Sequence, residues 1–127
     1  MDDTVTLRDR MRMARFVLTT SRLTQGPEVR KFEDQWSKWL NVKHSLFVSS
    51  GSTANSLLVS AWKDLNDIPD GAKVIVPACT WVTNIAPIIQ NNLTPVFCDV
   101  NLKDFSFDIN ALQTIACDNS DIRGIFV

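Results

Sequence analysis

The chain has 127 residues, 45% of them hydrophobic, with 13 basic and 14 acidic residues for a net charge of -1. That length suits one domain with a real core, and the balanced charge gives no electrostatic support to a nucleic-acid or anionic-membrane partner. Three cysteines (Cys79, Cys98, Cys117) and one histidine (His44) without ligand spacing argue against a disulfide scaffold and a zinc site. No metal site is expected, and a reducing cytoplasm is the simpler reading.

In chain order, the charged N-terminus MDDTVTLRDRMRMARF lacks the apolar core of a signal peptide. No stretch has the apolar length to cross a bilayer. Leu7, Met11, Met13 and Phe16 predict a helix over roughly Leu7 to Leu18. Gly26-Pro27-Glu28 marks a second helix start, with proline in the first turn and an acid at its positive end. Val29, Phe32, Trp36, Trp39 and Leu40 give that helix one strongly apolar face.

Ser45 to Ser49 reads as a strand leading into a helix with an apolar stripe of Ala54, Leu57, Leu58, Ala61 and Trp62. Lys73 to Val76 predicts a second strand, bounded by Asp70-Gly71 and Pro77. Thr80 to Gln90 predicts a helix that Pro87 should kink or shorten. Pro95 to Val100 is a third strand. Asp108 is an N-cap for a helix through Ile115, and Ile122 to Val127 is a fourth strand. Alternating strands and helices indicate βαβ units: an α/β fold, three-layer αβα, around a mostly parallel sheet. The apolar run "IRGIFV" reaches the end of the sequence, so the chain reads as the opening portion of something longer.

The junction FVSSGSTANSLL raises a chemical question. A helix starting directly after an extended segment has amides without intrahelical acceptors, and its dipole favours anions. Gly51 permits close approach, Ser52 and Thr53 add hydroxyls, and Ala54 keeps the floor low. Equally, serine and glycine are favoured at any helix start, where they cap and bind nothing. The run is neither a P-loop nor a dinucleotide fingerprint. Trp81 follows the Lys73 strand at its carboxyl end, where parallel sheets line ligand crevices. It could stack on a flat ring or simply pack in the core.

Three stretches, LTQGPEVRKFEDQWSKWLNVKHSLFVSSGSTAN, GAKVIVPACTWVTNIAPIIQNNLTPVFCDVN and IRGIFV, resemble the N-terminal part of the DegT/DnrJ/StrS family of sugar aminotransferases. The resemblance runs from about Leu23 to Val127. It implies a partial large domain of the fold type I pyridoxal 5'-phosphate enzymes over 23–127, preceded by a helical segment, 1–22. It also implies a cofactor phosphate surrounded by Gly51, Ser52, Thr53 and Ala54, with Trp81 on the pyridine ring. Thr20 to Gly26 matches a segment near the sugar site and dimer partner. The implied substrates are a nucleotide-linked keto sugar and an amino-acid donor. The family's cofactor-linking lysine and ring-pairing aspartate match nothing here: Lys31, Lys38, Lys43, Lys63, Lys73 and Lys103 all lie elsewhere, so no catalytic residue is assigned.

A related subgroup carries histidine in place of that lysine and acts as a sugar 3-dehydratase; PIIQNNLTPVF is similar to it. His44 is not that histidine. A reading of a different class is an assembly module without chemistry, pairing with itself or with a complete relative, suggested by the apolar edge Ile125-Phe126-Val127; the expected assembly is a homodimer or pairing with a C-terminal portion.

Overall fold

The β-branched valines and isoleucine in the run KVIVP favour extended backbone, and the Pro69-Asp70-Gly71 turn before it marks where it starts. In the computed structural model, which describes residues 4–127, this run is the central strand of a three-stranded sheet. The elements are α1 (Leu7–Thr19), α2 (Pro27–Leu40), α3 (Gly51–Leu65), β1 (Lys73–Pro77), α4 (Val82–Gln90), β2 (Thr94–Cys98), α5 (Ile109–Asp118) and β3 (Ile122–Ile125). The sheet order is β2-β1-β3 and both pairings are parallel. Lys73 pairs with Thr94 on one side and Ile122 on the other.

The chain divides into two units, one running to Phe47 and the other from Val48 to Val127. In the first, Thr6 and Asp9 form a reciprocal capping box at the start of α1. Helix α2 starts as expected, with Gly26 as N-cap, Pro27 in the first turn and Glu28 after it. Its apolar residues stack along the helix: the Phe32 and Trp36 rings lie 5.8 Å apart and those of Trp36 and Trp39 4.9 Å apart. All three remain exposed.

The second unit holds the core. Val74 and Val76 point to one face of the sheet, where Val59 of α3 and Ile88 of α4 cover them. Successive strand residues alternate faces. Ile75, fully buried, therefore belongs to the opposite face, as does Lys73, which bonds Asn119 at the end of α5. Helices thus cover both faces of a parallel sheet, giving the expected three layers. Trp62 packs against β3: a Cβ at Gly124 would sit 3.0 Å from its Cζ2, so a larger residue there would push the indole back.

Two expectations fail. Ser45 to Ser49 is not a strand. Among the described residues no strand offers it a ladder, and the Phe47 amide donates to a Glu33 carboxylate oxygen at 2.8 Å. The α3 stripe is also rotated: Val59 is its buried residue, while Ala54, Leu57, Leu58 and Ala61 are exposed. Contact with α4 and the sheet selects the Asn55-Val59-Trp62 side. Leu58, Ala61, Trp62 and Leu65 instead line an open apolar cavity of ≈ 480 Å³ against Gly124 and Phe126.

Candidate functional site

The heads of α3 and α4 lie together. Asn55, in the second turn of α3, donates to the Thr83 carbonyl at 3.2 Å and to Asn84 Oδ1 at 3.1 Å. At the other end Ser60 donates to Asn91 Oδ1 at 2.8 Å, and Lys63 to the Asn91 carbonyl at 2.7 Å. The two helices are therefore pinned side by side at both ends, pointing the same way. Since α4 follows β1, both heads sit at the carboxyl edge of the sheet.

At the α3 head, Ser50 is the N-cap: its hydroxyl accepts from the Thr53 amide at 3.2 Å, and its carbonyl accepts from the Ala54 amide at 3.0 Å. The amides of Gly51 and Ser52 have no protein acceptor among the described residues. The Thr53 hydroxyl lies 3.1 Å from that of Ser49 and 3.0 Å from that of Ser50. Gly51 sits in the helix without positive φ, and a Cβ built there meets nothing within 4 Å. The turn makes no conformational demand for glycine; what glycine leaves is open space over the helix end.

Trp81 is the N-cap of α4, 81% exposed, and its side chain makes no capping bond. The indole is therefore not a core residue, which separates it from the packing alternative. Thr80, just before it, accepts from Asn84 Nδ2 at 3.0 Å. Ser52 and Ala54 are exposed, and Thr53 is half-buried. The residues singled out in sequence thus fall on two adjacent helix heads. Those that tie the heads together, Asn55, Asn84 and Thr80, were not singled out. The available signal was Pro87, whose missing N–H strands one carbonyl of α4 and so calls for an outside donor.

Open amides, a cluster of hydroxyls and a helix dipole on small residues form a donor set that fits a phosphate. An exposed flat indole on the neighbouring helix head fits an aromatic ring. No positive side chain is part of this arrangement, so any anion there is held by neutral donors and the dipole. Lys63 and Lys73 are engaged at the far edge of the sheet, with Asp70 and Asp121 respectively. Burial, and then the charges of Asp108 and Asp99, push the Cys98 thiol up, which disfavours its thiolate.

Residues 6–122 match the DegT/DnrJ/EryC1/StrS aminotransferase family. The GDP-4-keto-6-deoxy-D-mannose 3-dehydratase of Escherichia coli O55:H7 is 33% identical over 106 residues, covering 82% of this chain and 27% of that protein. The GDP-perosamine synthase of Vibrio cholerae is 35% identical over 77 residues, 61% of this chain and 20% of that protein. A solved E. coli GDP-4-keto-6-deoxy-D-mannose-3-dehydratase with bound hydrated pyridoxal phosphate superposes with a TM-score of 0.81. It is 29% identical, and the match covers 97% of this chain and 31% of that one. The chain therefore spans about a fifth to a third of the length of these relatives.

Proposed function

The chain belongs to the DegT/DnrJ/EryC1/StrS aminotransferase family, and on that premise we propose that its paired helix heads form the phosphate end of a pyridoxal 5'-phosphate site. The whole enzyme would transfer an amino group from an amino-acid donor to a nucleotide-linked keto sugar. The observation that carries this is the pair of acceptor-free amides, Gly51 and Ser52, beside the exposed indole of Trp81.

In this reading the Gly51 and Ser52 amides and the Ser52 and Thr53 hydroxyls donate to the phosphate. Ala54, a small side chain in the same turn, leaves the approach clear. Trp81 stacks on the ring and fixes its plane. When bound, the cofactor supplies an electron-withdrawing ring that stabilises negative charge at the carbon bearing the amine. This chain's share of the work is to hold and orient; none of its lysines is assigned the chemical step. A 3-dehydratase acting on a similar sugar is the second reading, favoured by the likeness to the E. coli enzyme.

We place the enzyme in the cytoplasm, as a homodimer. Three free cysteines support the reducing compartment, and no helix among the described residues is long and apolar enough to cross a membrane. The exposed aromatic row of α2 supports self-association, which sizing with light scattering would measure; a monomer at all concentrations removes the dimer.

Titration of the full chain with pyridoxal 5'-phosphate and with pyridoxal, followed by induced circular dichroism, tests the site. The phosphate ester is expected to bind more tightly. Trp81→Ala should weaken it about threefold to tenfold, the worth of one aromatic stack. Equal affinity for the ester and the alcohol overturns the phosphate assignment.

A further inference from the structure

Pro87 lies inside α4, and proline has no amide hydrogen. The carbonyl four residues earlier, that of Thr83, therefore has no helical donor. Asn55 Nδ2 from the neighbouring helix donates to it at 3.2 Å. The second hydrogen of the same amide goes to Asn84 Oδ1 at 3.1 Å, and Asn84 Nδ2 reaches Thr80 Oγ1 at 3.0 Å. Four residues form one relay, from the helix that begins at Gly51 to the residue preceding Trp81.

We propose that Asn55 is a positioning residue: it plugs the gap Pro87 opens in α4 and, through Asn84 and Thr80, holds Trp81 at a set place beside the Gly51 and Ser52 amides. This rests on the cofactor reading above and deepens it, because the relay fixes the span between the ring platform and the phosphate donors. The chemistry requires a primary amide. Two hydrogens on one nitrogen serve two oxygens at once, which a hydroxyl cannot do. An aspartate would face both oxygens with a carboxylate and donate to neither. By taking the Asn84 oxygen, Asn55 also decides that the Asn84 nitrogen faces Thr80.

The two tasks of Asn55 separate experimentally, because removing the proline supplies the missing donor from within α4. The set is the full chain, Asn55→Ala, Pro87→Ala and the double variant. Each is measured for thermal midpoint and for affinity toward pyridoxal 5'-phosphate and pyridoxal. Asn55→Ala alone is expected to lower the midpoint and weaken the ester about fivefold, the worth of one net hydrogen bond. In the Pro87→Ala background the same change should cost much less in midpoint, since the residue-87 amide now serves Thr83. The affinity loss should persist there, since Asn84 and Thr80 remain unbraced.

A midpoint cost equal in both backgrounds overturns the plug. Affinity that recovers together with the midpoint overturns the positioning role and leaves Asn55 a packing residue. If the parent chain binds ester and alcohol alike, the cofactor reading fails on its own, while the midpoints still decide the plug. Should Asn55→Ala not fold, the comparison between Pro87→Ala and the double variant, whose helix ladder is whole, decides both points.

Discussion

The two edges of the sheet differ in where their polar groups are spent. At the amino edge, before each strand, several charged groups are committed to protein. Lys63 pairs with Asp70, Lys73 lies 3.1 Å from Asp121 and 3.0 Å from Asn119 Oδ1, and Asn92 Nδ2 donates to Asp70 at 3.3 Å. The Gly71 amide, at a turn with φ +81, donates to the Asn92 carbonyl at 2.7 Å. At the carboxyl edge the hydroxyls of Ser49, Ser50 and Thr53 contact one another, two amides have no acceptor, and an indole stands in solvent. One edge is closed by internal bonds and serves stability. The other leaves donors unspent, and unspent donors in a preformed array are what a ligand uses.

The contrast can be broken or sharpened by variants of decreasing effect. Ile88, fully buried between the edges, serves both. Ile88→Ala should cost about 2–5 kcal/mol, read by urea denaturation, and lose cofactor binding with it. Ser52→Asp should separate the two properties. A carboxylate in the first turn of α3 favours the helix by about 0.3–1 kcal/mol. It also repels a phosphate, so the thermal midpoint should rise slightly while affinity for pyridoxal 5'-phosphate falls tenfold or more. A parallel fall in both would mean that the α3 head is structural.

The smallest effect lies at the amino edge and appears in acid. The hydrogen bond from Lys63, and then its charge, holds the Asp70 carboxyl below its ordinary value; the hydrogen bond from Lys73 does the same for Asp121. Such groups bind protons less readily folded than unfolded. Their contribution is present above roughly pH 4, the unfolded value, and is lost as pH falls through the lower folded value. Both are exposed, so the loss is modest. Asp70→Asn should flatten the acid limb of a midpoint-against-pH curve and leave cofactor affinity at pH 7 untouched.

Much of this was legible in sequence for identifiable reasons. KVIVP is apolar on both faces, so a buried parallel strand followed without knowledge of its neighbours. Gly26-Pro27-Glu28 and Asp108 are local capping signals, and local signals predict local structure. The Ser45–Ser49 strand was misread because extended propensity does not supply a partner. The α3 stripe was misread because leucine spacing tells which side is apolar, while packing against α4 decides which side is covered. Gly51 and Trp81 were legible as an uncommon pair at successive helix starts. Asn55 was not, because its role depends on a proline thirty-two positions away whose significance is an absent hydrogen.

Strand β1 lies between β2 and β3, and this placement orders assembly. Its pairing with Thr94–Cys98 closes a short connection through α4, whereas pairing with Ile122–Ile125 must wait for α5 and its flanking turns. Loop closure costs more the longer the intervening chain. The β1-α4-β2 crossover unit should therefore form the nucleus, with β3 and the Trp62 contact added late. Chevron kinetics of Gly124→Ala would then show faster unfolding at an unchanged folding rate; slowed folding would place β3 in the nucleus instead.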